Sequence, residues 1–470
     1  MRLPARILLG LFSAVGLLVA GATPAQTLRI PPHEKVVLKN GMTVLLLEKR
    51  GVPLVSVAAI VKAGSTADPA GQEGLASITA GLLRKGTATR SAQQFSEELD
   101  FIGASFGARP GSDYTTLTAE FMAKDTDKGL SLFSDVLMHA TFPQEEVKKL
   151  LSQEIDGVRA AKDEAESVVL TYYNGYLFSK HPYARPEDGD ELSLARITRE
   201  SVKAFYEANY APSNTILAVA GDFDAAALKA KIEQVFGGWN GKAAVQAGLP
   251  ATSAYKGKKL LLVDKPDATQ TFFAIGNIGT SATDPDRVAV HLVNTIFGGR
   301  FTSQLNEALR VESGLTYGAQ SFFDSRKQAG PFAIFSYTKN ETTVQAMDLA
   351  LQVLAKLHKD GVTAAELTSA KAYIKGQFPP ELETSRQLAR EIATNEFYGL
   401  GDDEVNQLEA RLDAVTPEIA KQVIAKHFPS DDLVFLLIGK ASEIGAAVRK
   451  YAPQVDSRKI SDPGFWPPVK

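Results

Sequence analysis

The chain has 470 residues, of which 44% are hydrophobic and 22% charged, and its net charge is −3. Such a length suggests roughly two to four domains, and the composition is that of a soluble globular protein with no basic excess for nucleic acid or a polybasic membrane patch. It holds no cysteine, which excludes disulfides, zinc–thiolate sites, cysteine nucleophiles and a lipid-anchored N-terminus.

Residues 1–25 read as a secretory signal peptide. Arg2 and Arg6 form a positive start, "ILLGLFSAVGLLVAG" is apolar, and Ala20-Gly21-Ala22 and Thr23-Pro24-Ala25 offer small-residue cleavage sites. Its removal takes two arginines and moves the charge from −3 to −5. No later stretch is long and apolar enough to cross a membrane. The expected location is the periplasm or outside the cell.

"EKVVLKNGMTVLLLEKR" sets two apolar runs around Asn40-Gly41, a hairpin signal, and "LVSVAAIVKAGS" follows as an alternating third strand. "GLASITAGLLRKGT" (74–87) is a helix whose Leu75, Ile78 and Leu82 share one face. Its other positions are Ser77, Thr79, Ala80 and Gly81, although a glycine inside a helix costs about 1 kcal/mol against alanine. Either something packs tightly there or a chemistry suited to that helix is missing.

"SAQQFSEELDFIGASF" is a helix capped by Ser91, with Phe95, Leu99 and Ile102 on one face. "ASFGARPGSDYTTLTAEFMA" is a strand pair around a Pro-Gly turn, and helices return at about 126–139 and 143–163. The aromatic stretch "VVLTYYNGYLFSKHPY" reads as core. "RITRESVKAFYEANYAPSNTILAVAGDFD" is helix, turn, strand.

That last segment is repeated. Residues 197–222 lie over 415–440 at an offset of 218, with Thr198 on Thr416, Glu200 on Glu418, Tyr210 on Phe428 and Gly221 on Gly439. The strand pair from Ala104 likewise resembles "AQSFFDSRKQAGPFAIFSYTK". The expected fold is α+β: two homologous domains, 30–243 and 257–465, each a mixed sheet flanked by helices. They are joined by a small, polar, aperiodic linker at 244–256 and face one another across a cleft.

Stand-alone chemistry is hard to find. No two of His33, His139, His181, His291, His358 and His427 fall within five residues, and none has a glutamate at the spacing of a zinc helix. His181, between prolines in "SKHPYARPEDGD", reads as structural. There is no G-x-S-x-G elbow, and "GGRFTS" (298–303) lacks the lysine of a phosphate loop and reads as a strand-to-helix turn.

"AAIVKAGS", "GQEGLASITAGLLRKGT", "HPYARP" and "FGGRFTSQLNEALRVESGLTYG" together resemble the pitrilysin/insulinase-type zinc metallopeptidases, the family of mitochondrial processing peptidase, over nearly all of the mature chain. Active members carry an inverted H-x-x-E-H motif on the helix after "GLA". Here those positions are Ser77, Ala80 and Gly81, so both histidines and the general-base glutamate are missing. Glu154, in "LLSQEIDGVRA", matches the family's third ligand, and a lone carboxylate does not hold catalytic zinc, which takes about three protein ligands. It reads as a relic or a salt-bridging residue, and no metal is expected in this chain.

The resemblance implies that the L-R-x-x-x-G-L-x-Y pattern of the second half binds substrate. It is kept here as "ALRVESGLTY", giving Arg310 and Tyr317. Gly314 is expected to end the helix and Tyr317 to begin the next strand. The family also pairs extended substrate with an edge strand that corresponds here to the segment around Gly107 and Ala108. A plain hairpin arm with a glycine bulge fits that segment equally.

The resulting expectation is a non-catalytic, substrate-binding subunit of a heteromeric zinc peptidase acting on unfolded peptides, without activity alone. A sister chain with H-x-x-E-H would supply zinc, and this chain Arg310 and Tyr317. The alternative is a proteolytically inactive structural or peptide-binding module.

Overall fold

A computed structural model describes residues 29–244 and 248–465. The leader read over residues 1–25 lies outside them, as does part of the expected linker. The first half contributes β1 (Glu34–Val37), β2 (Thr43–Glu48), β3 (Leu54–Val61), β4 (Ser105–Pro110), β5 (Thr115–Met122) and β6 (Thr215–Gly221). These form one six-stranded sheet in the order β1-β2-β6-β3-β5-β4. The second half contributes β7 (Lys258–Asp264), β8 (Gln270–Ile278), β9 (Ala319–Phe323), β10 (Pro331–Lys339), β11 (Leu433–Gly439) and β12 (Gln454–Lys459). Their order is β12-β7-β11-β8-β10-β9.

The two sheets repeat one plan. In each, the central strand runs parallel to one neighbour and antiparallel to the other: β6 to β2 and β3, β11 to β7 and β8. The outer strand beside β2 or β7 differs. β1 reaches β2 by the Asn40-Gly41 hairpin and pairs antiparallel, whereas β12 arrives from the chain's end and pairs parallel to β7.

Both central strands are continuous apolar runs, "TILAVAG" and "LVFLLIG", with every residue buried. Such runs require cover on both sheet faces. On the first sheet, Val44, Val57 and Val219 pack beneath helices of the same half, including Leu75, Ile78 and Leu82. The opposite face, with Leu45, Ala58, Ile60 and Ala218, is covered by Leu388, Ala389, Ile392 and Ala393. Those four residues belong to the Ser385–Tyr398 helix of the second half. The exchange is reciprocal. The Ala165–Phe178 helix of the first half lays Val169, Tyr172, Tyr173 and Tyr176 on Leu261, Ala274, Ala333 and Leu436 of the second sheet. The aromatic stretch is therefore core, as its composition suggested, but core of the other half.

Residues 248–257 run across the second half. Thr252 Oγ1 donates to Ala329 O at 2.9 Å, Tyr255 N donates to Asn277 Oδ1 at 3.0 Å, and His181 Nε2 lies 2.9 Å from Pro250 O. His181 thus has the structural role read from its sequence. "GGRFTS" departs from expectation: it joins the Arg287–Phe297 helix to the short Gln304–Asn306 helix. The apolar run before it is a helix nearly buried all round, and such a run cannot be told from a buried strand by periodicity alone. Among the described residues no helix is long and apolar enough to cross a membrane.

Candidate functional site

The Leu75–Leu82 helix begins at Gly74, whose φ of 93° favours glycine. A Cβ there would fall 2.8 Å from Gly189 Cα, so a glycine pair lets the loop before Asp190 press against the helix start. Buried Asp68 fixes the same turn, its two carboxylate oxygens accepting from Gly74 N and Ala76 N at 2.8 Å each. The loop so held delivers Asp188 to the helix. Ser77 Oγ donates to Asp188 Oδ1 at 2.8 Å.

Ser77 and Gly81 lie on the partly open side of the helix, while Ala80 is buried. Gly81 faces the Gln144–Asp163 helix, where a Cβ would come within 3.0 Å of Leu150 Cδ2. Glu154 projects from that second helix into a cavity of about 520 Å³ shared with Asp188, Asn174 and Arg326. Burial first, and then the charge of Asp188, push the Glu154 carboxyl above its ordinary value. The structure joins Ser77 to Asp188, sets Gly81 against the helix that carries Glu154, and puts Asp188 and Glu154 on one cavity that neither Ser77 nor Gly81 lines. The donors do not fit a catalytic zinc ion: there is no imidazole, Ala80 and Gly81 offer no ligating atom, and Asp188 is already engaged by Ser77. Asp188→Asn is expected to lower the midpoint of Glu154 while burial keeps it above that of a free glutamate. Carboxyl titration by NMR reads this, and an unmoved midpoint would refute the coupling.

Among the described residues one group of potential ligands converges, Asp284, Asp286 and His427. Asp286 there accepts from Lys426 Nζ at 2.6 Å and lies 2.9 Å from His427 Nε2. It reads as an ion-pair cluster at a helix end.

Arg310 lies on a π-helical turn, Glu307–Glu312, that continues the Gln304–Asn306 helix. Such turns displace a side chain from the α-helical register and recur at functional sites. Gly314, with φ 63°, stops the turn as expected. Tyr317 does not begin the strand: β9 starts at Ala319, and Tyr317 stands on the connection with 77% of its surface exposed. The connection is tied down instead by Thr316, whose hydroxyl donates to Gly318 O at 3.0 Å. The Arg310 guanidinium lies 4.7 Å above the Phe301 ring centroid and has no hydrogen bond or ion pair among the described residues. It lines a cavity of about 760 Å³ that none of Ser77, Ala80, Gly81, Glu154, Gly107 and Ala108 borders.

The last two, Gly107 and Ala108, lie in β4, the outer strand of the first sheet. Across the strand registers Ser321–Ile334–Ile275–Phe435 of the second sheet answers Ala108–Leu117–Ala59–Leu217 of the first, which sets Ala108 against Ser321. In the second half that outer edge is sealed. Asn294 Nδ2 donates to Ser321 O at 3.0 Å, and Ser321 N donates to Gly298 O at 3.1 Å. In the first half Ala108 makes no hydrogen bond beyond the β4–β5 ladder among the described residues. One of two equivalent edges is open to an added strand.

Residues 43–189 match the family model described as insulinase (peptidase family M16), and residues 196–374 match that described as peptidase M16 inactive domain. The chain belongs to the insulinase family. A Bacillus subtilis protein described as an uncharacterized zinc protease is 24% identical to this insulinase-family chain over 399 residues, covering 85% of this chain and 96% of the relative. A probable mitochondrial-processing peptidase subunit beta of Arabidopsis thaliana is 22% identical over 430 residues, covering 89% of this chain and 80% of the relative. The crystal structure of a peptidase M16 inactive domain from Pseudomonas fluorescens superposes with a TM-score of 0.82 at 26% identity, covering 87% of this chain and 98% of that one.

Three features of this insulinase-family site escaped sequence reading. Asp188 lies in a quoted motif, but only the fold brings it to Ser77. The π-turn has no signature in "ALRVESGLTY". Arg300 was in view within "GGRFTS", and reading that segment as a turn hid its place beside Arg310 in the cavity.

Proposed function

We propose that this chain is the non-catalytic, substrate-binding subunit of a heteromeric zinc metallopeptidase that acts on unfolded peptides. The observation that carries the reading is the contrast between its two motifs. The zinc positions hold Ser77, Ala80 and Gly81, while Arg310 and Tyr317 are kept with their polar ends unengaged among the described residues. An arginine without a carboxylate partner is a permanent cation available to peptide oxygens, and an exposed phenol is a donor to a peptide carbonyl or a developing oxyanion. The backbone edge at Ala108, next to Gly107, offers an extended peptide a strand to join. The zinc, its water and the general base would come from a sister chain bearing H-x-x-E-H.

Cleavage of a quenched, unstructured peptide by the purified mature chain with added zinc tests this, first alone and then with the sister chain. Silence alone and turnover above that of the sister by itself are expected. Chelator-sensitive turnover by this chain alone would overturn the reading. Peptide affinity with no gain in turnover would make the chain a binding module.

A further inference from the structure

The cavity beside Arg310 has a chemistry of its own. Its ionisable walls, tyrosines aside, are Glu166, Arg287, His291, Arg300 and Arg310. Arg287 is committed to Glu404, to which its Nε donates at 2.9 Å. The other two arginines have no carboxylate partner among the described residues. Arg300 gives Nη1 to Ser369 Oγ at 3.1 Å and holds its guanidinium over the Tyr373 ring, 5.7 Å from the centroid, and its buried Nε has no acceptor among the described residues. Arg310 lies over Phe301 in the same manner, 4.7 Å from the centroid. Against two unneutralised guanidinium groups the walls set one carboxylate, Glu166, which is exposed and pairs with neither. Buried Thr280, also on the wall, has a hydroxyl without a hydrogen-bond partner.

A guanidinium stacked on an aromatic ring keeps its edge N–H donors free in one plane, and that fork matches a carboxylate. Arg310 presents such a fork free, and Arg300, with Nη1 on Ser369 and Nε buried, adds a second unneutralised cation with its remaining Nη hydrogens, so the recess makes an anion subsite. We propose that this cavity is a carboxylate-recognising subsite, in which Arg300 together with Arg310 selects peptides bearing an acidic side chain or a free C-terminal carboxylate. The proposal rests on the reading that Arg310 meets substrate. It adds Arg300 as a specificity residue and gives the peptide its charge.

Calorimetric titration of the purified mature chain tests it with four short N-acetylated peptides of one sequence. They are a C-terminal amide with glutamate at the centre, the same amide with glutamine, the same amide with lysine, and the glutamine peptide with a free C-terminal carboxylate. The glutamate peptide, the free-acid peptide or both are expected to bind roughly 10–100-fold more tightly than the glutamine amide, the lysine peptide being weakest. Whichever gains identifies the source of the carboxylate. Arg300→Gln should erase the preference and Arg300→Glu should invert it toward lysine. The wild-type ranking stands by itself should either variant fail to fold. Equal affinities for the glutamate, free-acid and glutamine peptides overturn the subsite and leave the peptide-binding reading intact. Binding by none of them also overturns the subsite, while turnover with the sister chain judges the shared-site reading independently.

Discussion

Arg310→Ala is expected to lower peptide turnover by the complex with the sister chain roughly 10²–10³-fold, the usual cost of removing one donor to a developing charge. Its melting temperature should stay where it was. The stability half of this expectation follows from the side chain's surroundings. Arg310 is half-buried, has no ion pair or hydrogen bond among the described residues, and touches a Phe301 ring that is itself 64% exposed. Substitutions at such places shift stability by about 0.5 kcal/mol or less. The activity half follows from the same isolation: a cation with no polar bond to its own fold is free for substrate. Tyr317→Phe is the companion variant, removing only an exposed hydroxyl. Steady-state kinetics of the complex, with a thermal melt of each variant, separates the two halves. Normal turnover by the Arg310→Ala complex would remove the basis for a shared site.

Tyr173→Ala is expected to cost about 3–5 kcal/mol of stability, the range for deleting a large buried aromatic side chain. Tyr173 is fully buried, and its Oη donates to Phe332 O at 2.9 Å. Beneath it the second sheet is cut to fit: a Cβ on Gly276 would fall 2.7 Å from that hydroxyl oxygen. The truncation opens a void and leaves a buried carbonyl without its donor, whereas Tyr173→Phe loses the hydrogen bond alone, at about 1 kcal/mol. Denaturant unfolding of both variants tests the ordering. A loss below that of Tyr173→Phe would mean the Ala165–Phe178 helix is not anchored as described.

Much of the architecture was legible because it is written in local signals. The Asn40-Gly41 hairpin, the Ser91 cap with its reciprocal Gln94 bond, and the paired halves follow from turn chemistry, capping and the repeat. Strand against helix was resolved less well where apolar residues run without a period, as before Gly298. The exchange of helices was not legible at all. Val169, Tyr172 and Tyr173 announce burial, but no feature of a sequence states which sheet they will cover. The site divided in the same way. Ser77, Ala80, Gly81, Arg310 and Tyr317 are fixed by motif spacing, while Asp188, Arg300 and the sealing of β9 by Asn294 depend on contacts between segments far apart in the chain.

The traded helices change what kind of object this chain is. Each half carries the cover for the other's exposed sheet face, the arrangement by which two copies of one protein interlock when they swap an element. Here the copies are covalently joined, so the contact that would otherwise depend on encounter is formed at the effective concentration set by a short tether, on the order of millimolar. Dilution does not weaken it, and among the described residues the sheet face that each half would otherwise offer a second copy is already covered by the other half. What resembles a pair of lobes has the interlock of a swapped dimer made unimolecular.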